Sequence, residues 1–306
     1  VEFLRYVFPV SGVETWLWLP PLAAFAVSFV TSMVGVSGAF LLLPFQMSVL
    51  GYTAPAVSAT NLVFNLVAIP SGVYRYIRDG RMNWPLFWAI STGTLPGVII
   101  GYYVRVWWLP DPAAFKVFVG CVLAYLAWRL LSGFLPGKRN LQAADASAPP
   151  RKAVVQTLSV TLARVSFRFG AETHAFNLPA MLTLAFLIGI VGGVYGIGGG
   201  AIIAPFCIAW FGLPLHAVAG AALGATFLTS IAGVALYSLL PAPPGLATYP
   251  DWQLGLLFGV GGMLGMYLGA CLQRHVPQTA LRLLLGVMVA LLAAQYLAPF
   301  LMARLA

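Results

Sequence analysis

Acidic residues are nearly missing from this chain. Asp and Glu together number 7 among 306 residues, and charged residues of both signs make up only 8%. A soluble globular domain carries about a quarter charged residues, so that class is excluded. None of Glu2, Glu14, Asp79, Asp111, Asp145, Glu172 or Asp251 lies in the middle of an apolar run. Carboxylates inside a membrane mark proton and cation pathways, and their absence there argues against a cation transporter and against a carboxylate proton relay. Cysteine is equally scarce. Cys121, Cys207 and Cys271 all sit in apolar segments without metal-ligand spacing and read as small packing residues. His174, His216 and His275 are isolated. No metal, no cofactor and no enzymatic constellation is therefore expected. The run Gly196-Ile197-Gly198-Gly199-Gly200 lacks the Lys-Ser/Thr of a phosphate loop and the strand–helix setting of a dinucleotide fold, which argues against an ATP-driven pump.

What the chain has instead is apolar length. Hydrophobic residues make up 61%, and runs long enough to cross a bilayer recur from end to end. Ten segments are predicted, roughly at 16–34, 38–51, 54–77, 84–105 and 112–135, then 177–195, 199–212, 216–240, 252–272 and 278–303. The fold class expected is an all-α polytopic membrane protein. The second and seventh segments are short. About 14 helical residues reach only about 21 Å, less than the 30 Å hydrocarbon core, so these two are tilted, lengthened by extended residues, or re-entrant. The 16 Lys and Arg give a net charge of +9, but they lie mostly in loops, where they signal topology. Nucleic acid is not an expected partner; the lipid bilayer is. The start of the chain has no basic region before its first apolar run, so it does not read as a signal peptide. Its first residue is Val rather than Met, so the numbering is expected to begin inside a longer chain.

The chain repeats itself. Gly35-Val36-Ser37-Gly38-Ala39-Phe40-Leu41-Leu42-Leu43-Pro44-Phe45 returns as Gly196-Ile197-Gly198-Gly199-Gly200-Ala201-Ile202-Ile203-Ala204-Pro205-Phe206. At the same offset Gly51 matches Gly212, Ala56-Val57 matches Ala217-Val218, Asn65 matches Thr226, Gly72-Val73 matches Gly233-Val234, and Tyr76 matches Tyr237. After a loop insertion, Asn83-Trp84 matches Asp251-Trp252, and Gly93, Gly97 and Gly101 match Gly261, Gly265 and Gly269. These last two triplets are small-xxx-small ladders, which let helices approach closely in lipid. Gly120 matches Gly286. The predicted organisation is a first transmembrane repeat at 1–135, a linker at 136–176 and a second transmembrane repeat at 177–306.

Loop charge orients the halves. The loop after the third segment holds Arg75, Arg78 and Arg81 against Asp79, whereas its counterpart at 241–250 holds no basic residue. The positive-inside rule puts the first in the cytoplasm and the second outside. The linker, with Lys138, Arg139, Arg151, Lys152, Arg164 and Arg168, falls on the cytoplasmic side. Five segments per half make the repeats inverted, with both termini outside. Within the linker, 142–150 is Ala/Ser/Pro-rich and reads as flexible. Leu158, Val160 and Leu162 then alternate, as do Val165, Phe167 and Phe169 after a one-residue slip. Gly170-Ala171 follows, then Thr173, Ala175 and Asn177. Period-two patterning around a Gly turn predicts a short β-hairpin; an amphipathic surface helix is the alternative.

The glycine breaks carry the candidate site. Gly in a helix costs about 1 kcal/mol against Ala, and Pro44 and Pro205 each lack an N–H. Irregular backbone at membrane depth is tolerated only inside protein or beside a water-filled cavity. A helix starting at such a break aims unpaired N–H groups and a positive dipole end into the cavity, an anion site made of backbone. Two breaks in inverted halves bring two helix starts together near the midplane. The competing reading is that the glycines only permit close packing. The candidate substrate-binding residues are Ser37, Gly38 and Ala39 in the first break, Gly198, Gly199 and Gly200 in the second, and Asn61, Asn65 and Thr226 beside them. Thr60, Thr229, Ser230 and Gln46 are further polar groups nearby. Such amides and hydroxyls either glue helices or line a path. Lys116 and Arg282, at matching places, either snorkel to the interface or add positive potential to that path.

At these residues the chain resembles the TauE/SafE family of sulfite and organosulfonate exporters. The resemblance is carried by the doubled Gly-x-Gly-Gly-Gly-x4-Pro pattern, complete at 196–205, and by the helix running from Ala217-Val218 to Gly233. Thr60-Asn61-Leu62 with Asn65, Gly72-Val73-Tyr74-Arg75-Tyr76 and Gly80-Arg81 add to it. It spans both halves, with Ser37 and Ala39 standing where the pattern has glycines. It implies export of a small sulfur-containing anion, sulfite or a C2 organosulfonate, across a bacterial inner membrane. An anion follows from the residues themselves; sulfur comes only from the resemblance. The alternatives are an anion channel or uptake permease for sulfur oxyanions such as thiosulfate, and a non-transporting membrane scaffold. Whether the chain forms a homo-oligomer is left open.

Overall fold

The computed structural model describes residues 5–34, 37–132, 154–272 and 278–305. Gly35 and Val36 of the first motif, the flexible stretch predicted at 142–150 and His275 lie outside the described residues, as do the side chains of His216 and Arg282.

The protein is a mostly helical multi-pass membrane protein. The first half contains α1 (Leu19–Val34), α2 (Ala39–Ser48), α3 (Ala56–Ala68) continued by α4 (Pro70–Arg78), α5 (Trp84–Tyr103) and α6 (Pro112–Leu131). The second contains α7 (Leu178–Tyr195), α8 (Gly200–Phe211), α9 (Leu215–Leu239), α10 (Trp252–Leu272) and α11 (Gln278–Leu305). Among the described residues, seven helices are long and apolar enough to cross a membrane, while Leu19–Met33, Ala39–Ser48 and Ile202–Phe211 are shorter apolar helices. The second and seventh predicted segments are short, as their sequence length implied. The first starts later than predicted, because Glu14–Trp16 pairs as a strand (β2) with Arg5–Val7 (β1) in an antiparallel ribbon. The third has a joint at Pro70, where the ring cannot donate the next helical bond; its counterpart position in the uninterrupted α9 is Ile231.

Helix starts are set by local chemistry. The matched residues Asn83 and Asp251 do the same work: Asn83 Oδ1 accepts from Leu86 N at 3.3 Å, and Asp251 Oδ1 from Leu254 N at 3.1 Å. Each satisfies one orphan donor of the first turn. Asn177 caps α7 in the same way, through Ala180 N at 2.9 Å.

Packing repeats when the halves are exchanged. α5 lies along α7, and α1 lies along α10. On α5 a Cβ at Gly97 would stand 2.3 Å from Phe186 O, and one at Gly101 2.6 Å from Ile190 O. On α10 a Cβ at Gly265 would stand 2.3 Å from Phe25 O, and one at Gly269 2.4 Å from Phe29 O. The two ladders are therefore the contact surfaces themselves, where backbone meets backbone. α6 packs on α11, with Gly120 against Leu297 and Gly286 against Leu131. Gly72 meets Leu223 and, with halves exchanged, Gly233 meets Leu62.

The linker sheet has three antiparallel strands, β3 (Val155–Val160), β4 (Arg164–Phe169) and β5 (Glu172–Asn177). The predicted hairpin around Gly170 is β4–β5, with Val165 opposite Phe176 and Phe169 opposite Glu172. The Leu158 run adds the third strand, its register shifting between Thr157 and Ser159. Val155 N donates to Gly80 O at 3.0 Å, which ties the sheet to the basic loop after α4. The β1–β2 ribbon sits at the other end of α3. There Ser11 N and Oγ donate to Asp251 Oδ2 at 3.0 and 2.8 Å, and Ala56 N donates to Ala247 O at 3.0 Å.

Candidate functional site

Each break ends one helix and starts another. In the second half α7 stops at Gly196, whose φ of +79° is a left-handed cap, and Gly198 repeats that conformation at +70°. L side chains rarely adopt it. A Cβ on Gly196 would also fall 2.3 Å from Ser58 O. Gly199 caps α8, and Gly200 opens it. A Cβ on Gly200 would lie 1.8 Å from Ala222 O and 2.1 Å from Thr226 Oγ1, so α8 starts directly on the α9 backbone. In the first half Gly38 caps α2 with φ −66°, and Ala39 opens the helix. Ser37 Oγ accepts from Ala39 N at 3.4 Å, and Gly38 rests against Ser28 Oγ. In α2 Leu41 N turns back to Gly38 O at 3.1 Å; the N–H groups before it, like those that open α8, precede the first helical acceptor.

The asparagines of α3 join the two breaks. Asn61 Nδ2 donates to Ala39 O at 3.0 Å and to Gly196 O at 2.9 Å, one amide nitrogen holding a carbonyl from each half. Its Oδ1 accepts from Gln46 Nε2 of α2 at 3.2 Å. One turn on, Asn65 Nδ2 donates to Ile197 O and to Ser230 Oγ, both at 3.2 Å. Both amide groups have therefore spent their two hydrogens on the protein. Thr226 Oγ1 donates to Ala222 O at 2.9 Å and flanks Gly198 and Gly200. All of these side chains are buried, Asn61 and Asn65 completely. The structure thus brings Ala39, Asn61, Asn65, Gly198, Gly200 and Thr226 into one buried cluster, with Ser37 and Gly38 on its first-half wall. Gly199 faces outward from it, toward Thr94 Cγ2 of α5.

The cluster's electrostatics come from backbone and amides alone. No acidic side chain takes part in any of these bonds. Two helix starts each contribute about half a positive charge. Asn65 Oδ1, Gln46 Oε1 and Ser28 Oγ are buried without a partner among the described residues. Toward the β1–β2 end, Thr60 Oγ1 accepts from Asp251 N at 2.9 Å and pairs with the Tyr52 hydroxyl at 3.2 Å. Burial pushes the Tyr52 phenol well above its ordinary range, only partly opposed by the Thr60 bond, so it stays neutral.

Other polar residues hold the scaffold. Tyr195 OH donates to Phe40 O at 2.7 Å, and Ser58 Oγ to Val194 O at 3.0 Å, so each half's helix is tied to the other's break. Sequence reasoning passed over both, because hydroxyls in an apolar run do not announce their partners. Lys116 is half-buried on α6. Arg105, which sequence reasoning also passed over, is completely buried at the end of α5. Its only sequence signal is a lone cation inside an apolar run.

Comparison with known proteins gives the identity. Residues 21–296, nearly the whole chain, match the sulfite exporter TauE/SafE family. The probable membrane transporter protein YunE of Bacillus subtilis (strain 168) is 22% identical over 274 residues, covering 87% of this chain and 92% of that protein. No solved structure matches. With both glycine breaks inside the matched region, the chain belongs to the sulfite exporter TauE/SafE family of membrane transporters.

Proposed function

We propose that this chain is a secondary transporter that carries a small sulfur-containing anion, sulfite or a C2 organosulfonate, out of the cytoplasm by alternating access. The observation that carries the reading is the single amide of Asn61 holding Ala39 O and Gly196 O. It joins the start of α2 to the cap that ends α7, and so gathers the two breaks around one point. Two positive dipole ends in a buried setting without carboxylates favour an anion. The family name supports sulfur.

In this reading the halves are inverted repeats, and the anion sits between them near the midplane. The backbone N–H groups around Ser37, Gly38 and Ala39, and around Gly198, Gly199 and Gly200, receive its oxygens. Asn61, Asn65 and Thr226 brace the closed state. When the anion arrives, their hydrogens are released from backbone carbonyls to it. That exchange lowers the cost of moving one half against the other. The basic loop after α4 and the linker sheet face the cytoplasm of a bacterial inner membrane, and both termini face the periplasm. The chain performs no covalent chemistry.

The test is sulfite counterflow into proteoliposomes of the full chain. Saturable exchange that an excess of unlabelled sulfite on the far side accelerates is expected. A flux rising linearly with concentration, with no counterflow, would show a channel instead.

A further inference from the structure

We propose that Arg105 forms a second anion-binding station beside the Thr53 loop. It rests on the transport reading above, and adds a binding step on the Thr53 face. An arginine at the end of a membrane span ordinarily extends its head to the interface. Arg105 does the opposite. It lies in the π-helical turn Val104–Trp108 that ends α5, and its side chain is 0% exposed. The guanidinium carbon stands 3.6 Å over the Phe115 ring. Nη1 donates to Leu109 O, and Nη2 to Thr53 O at 3.3 Å. The Nε–H has no partner among the described residues.

The missing element is a negative charge. Among the described residues the ion pairs are Arg5–Glu14, Arg81–Asp79 and His174–Glu172; none involves Arg105. The carboxylate of Asp251 is held by Ser11 and Leu254, and that of Asp111 by Ala114 N. Arginine keeps its charge in proteins, and a buried charge is costly unless it is paired. Two carbonyls and a ring face offset part of that cost. An oxyanion supplied from outside the chain offsets the rest, and a guanidinium fork suits its oxygens.

Tyr237 packs edge to face on Tyr102 of α5, with ring centroids 5.0 Å apart. Tyr237 OH donates to Gly193 O at 3.2 Å, and Ser58 Oγ to Val194 O. Gly196 in turn packs directly on Ser58 O. Both hydroxyls are committed to backbone carbonyls, so the Nε–H of Arg105, without a partner among the described residues, is the donor left for an anion at this end. Tyr76, the counterpart of Tyr237, faces Arg81, which is paired with Asp79.

The experiment measures initial rates of sulfite transport by the full chain in oriented proteoliposomes, loading from each face in turn. Arg105→Gln is expected to raise KM on the Thr53 face about tenfold, the loss of one charge-assisted hydrogen bond. KM on the sheet face, and kcat, should stay within about twofold. The salt dependence of KM on the Thr53 face should disappear with the charge, whereas Arg105→Lys should keep it. If Arg105→Gln does not fold, Arg105→Lys carries the test: loss of the planar fork should raise KM on the Thr53 face alone. Equal changes on both faces, or a fall in kcat alone, would make Arg105 a structural clamp on the Thr53 loop and overturn the station. So would an unchanged KM. If the wild type shows no counterflow, the transport reading fails separately. The station is then read by sulfite-dependent thermal unfolding, expected in the wild type and absent in Arg105→Gln; no shift in the wild type overturns it.

Discussion

The two breaks solve one problem by different means. In the second, glycine does the work: two left-handed residues turn the chain, and Gly200 sets α8 against the α9 backbone. In the first, side chains replace glycines. Ala39 opens α2, Ser37 turns a hydroxyl back on it, and Asn61 and Gln46 hold it from α3 and within α2. Where backbones touch, the wall is rigid and has no alternative partner. Where an amide bridges, the contact can be exchanged for another acceptor. Amides of α3 hold both breaks, Asn61 on Ala39 O and Gly196 O and Asn65 on Ile197 O, so the contrast lies in the glycines: the second break adds direct backbone contact that the first does without.

Substitutions can break or sharpen that contrast, the largest effect first. Gly200→Leu should abolish sulfite transport in proteoliposomes, because even its Cβ would overlap Ala222 O. Gly196→Ala should cost about 3 kcal/mol, combining a strained φ with overpacking on Ser58, seen as a lowered unfolding midpoint and reduced membrane yield. Asn61→Leu removes the donor shared by Ala39 O and Gly196 O and the acceptor of Gln46 Nε2. It should cost about 2 kcal/mol and stop turnover, whereas the same change at the half-buried Lys116 should leave turnover near wild type. Ser37→Gly makes the first break resemble the second and should raise KM about threefold, the loss of one neutral hydrogen bond, with little change in stability. Gly51→Ala and Gly212→Ala are the controls. Both positions have positive φ with open space around them, so each should cost about 1 kcal/mol of strain and leave KM alone.

Much of this is legible in the sequence. The ten segments, the ladders at Gly97 and Gly265, and the turn at Gly170 are punctuation and period, which local sequence encodes directly. The match of Gly51 to Gly212 proved to be a match of backbone conformation, since both are left-handed. The β1–β2 ribbon was not legible, because Glu14, Thr15 and Trp16 lead into an apolar run and read as its beginning. Pairing with Arg5–Val7 is a tertiary choice. The commitment of the Asn61 and Asn65 hydrogens to carbonyls was equally hidden: spacing puts both amides on one helix face but does not say what lies opposite. Arg105 was hidden for the converse reason. A cation at a span's end looks like an interfacial residue, and only its three-dimensional surroundings turn it inward.

The most direct test of the central claim is thermal unfolding of the detergent-purified protein against sulfite, sulfoacetate, taurine, thiosulfate, acetate and chloride. An anion at 100 times its dissociation constant stabilises by about 2.7 kcal/mol. The account predicts such a shift for one or two sulfur oxyanions in the wild type, and its loss in Gly200→Leu. No shift with any sulfur oxyanion, or a shift that survives Gly200→Leu intact, would contradict an anion site at the paired helix starts.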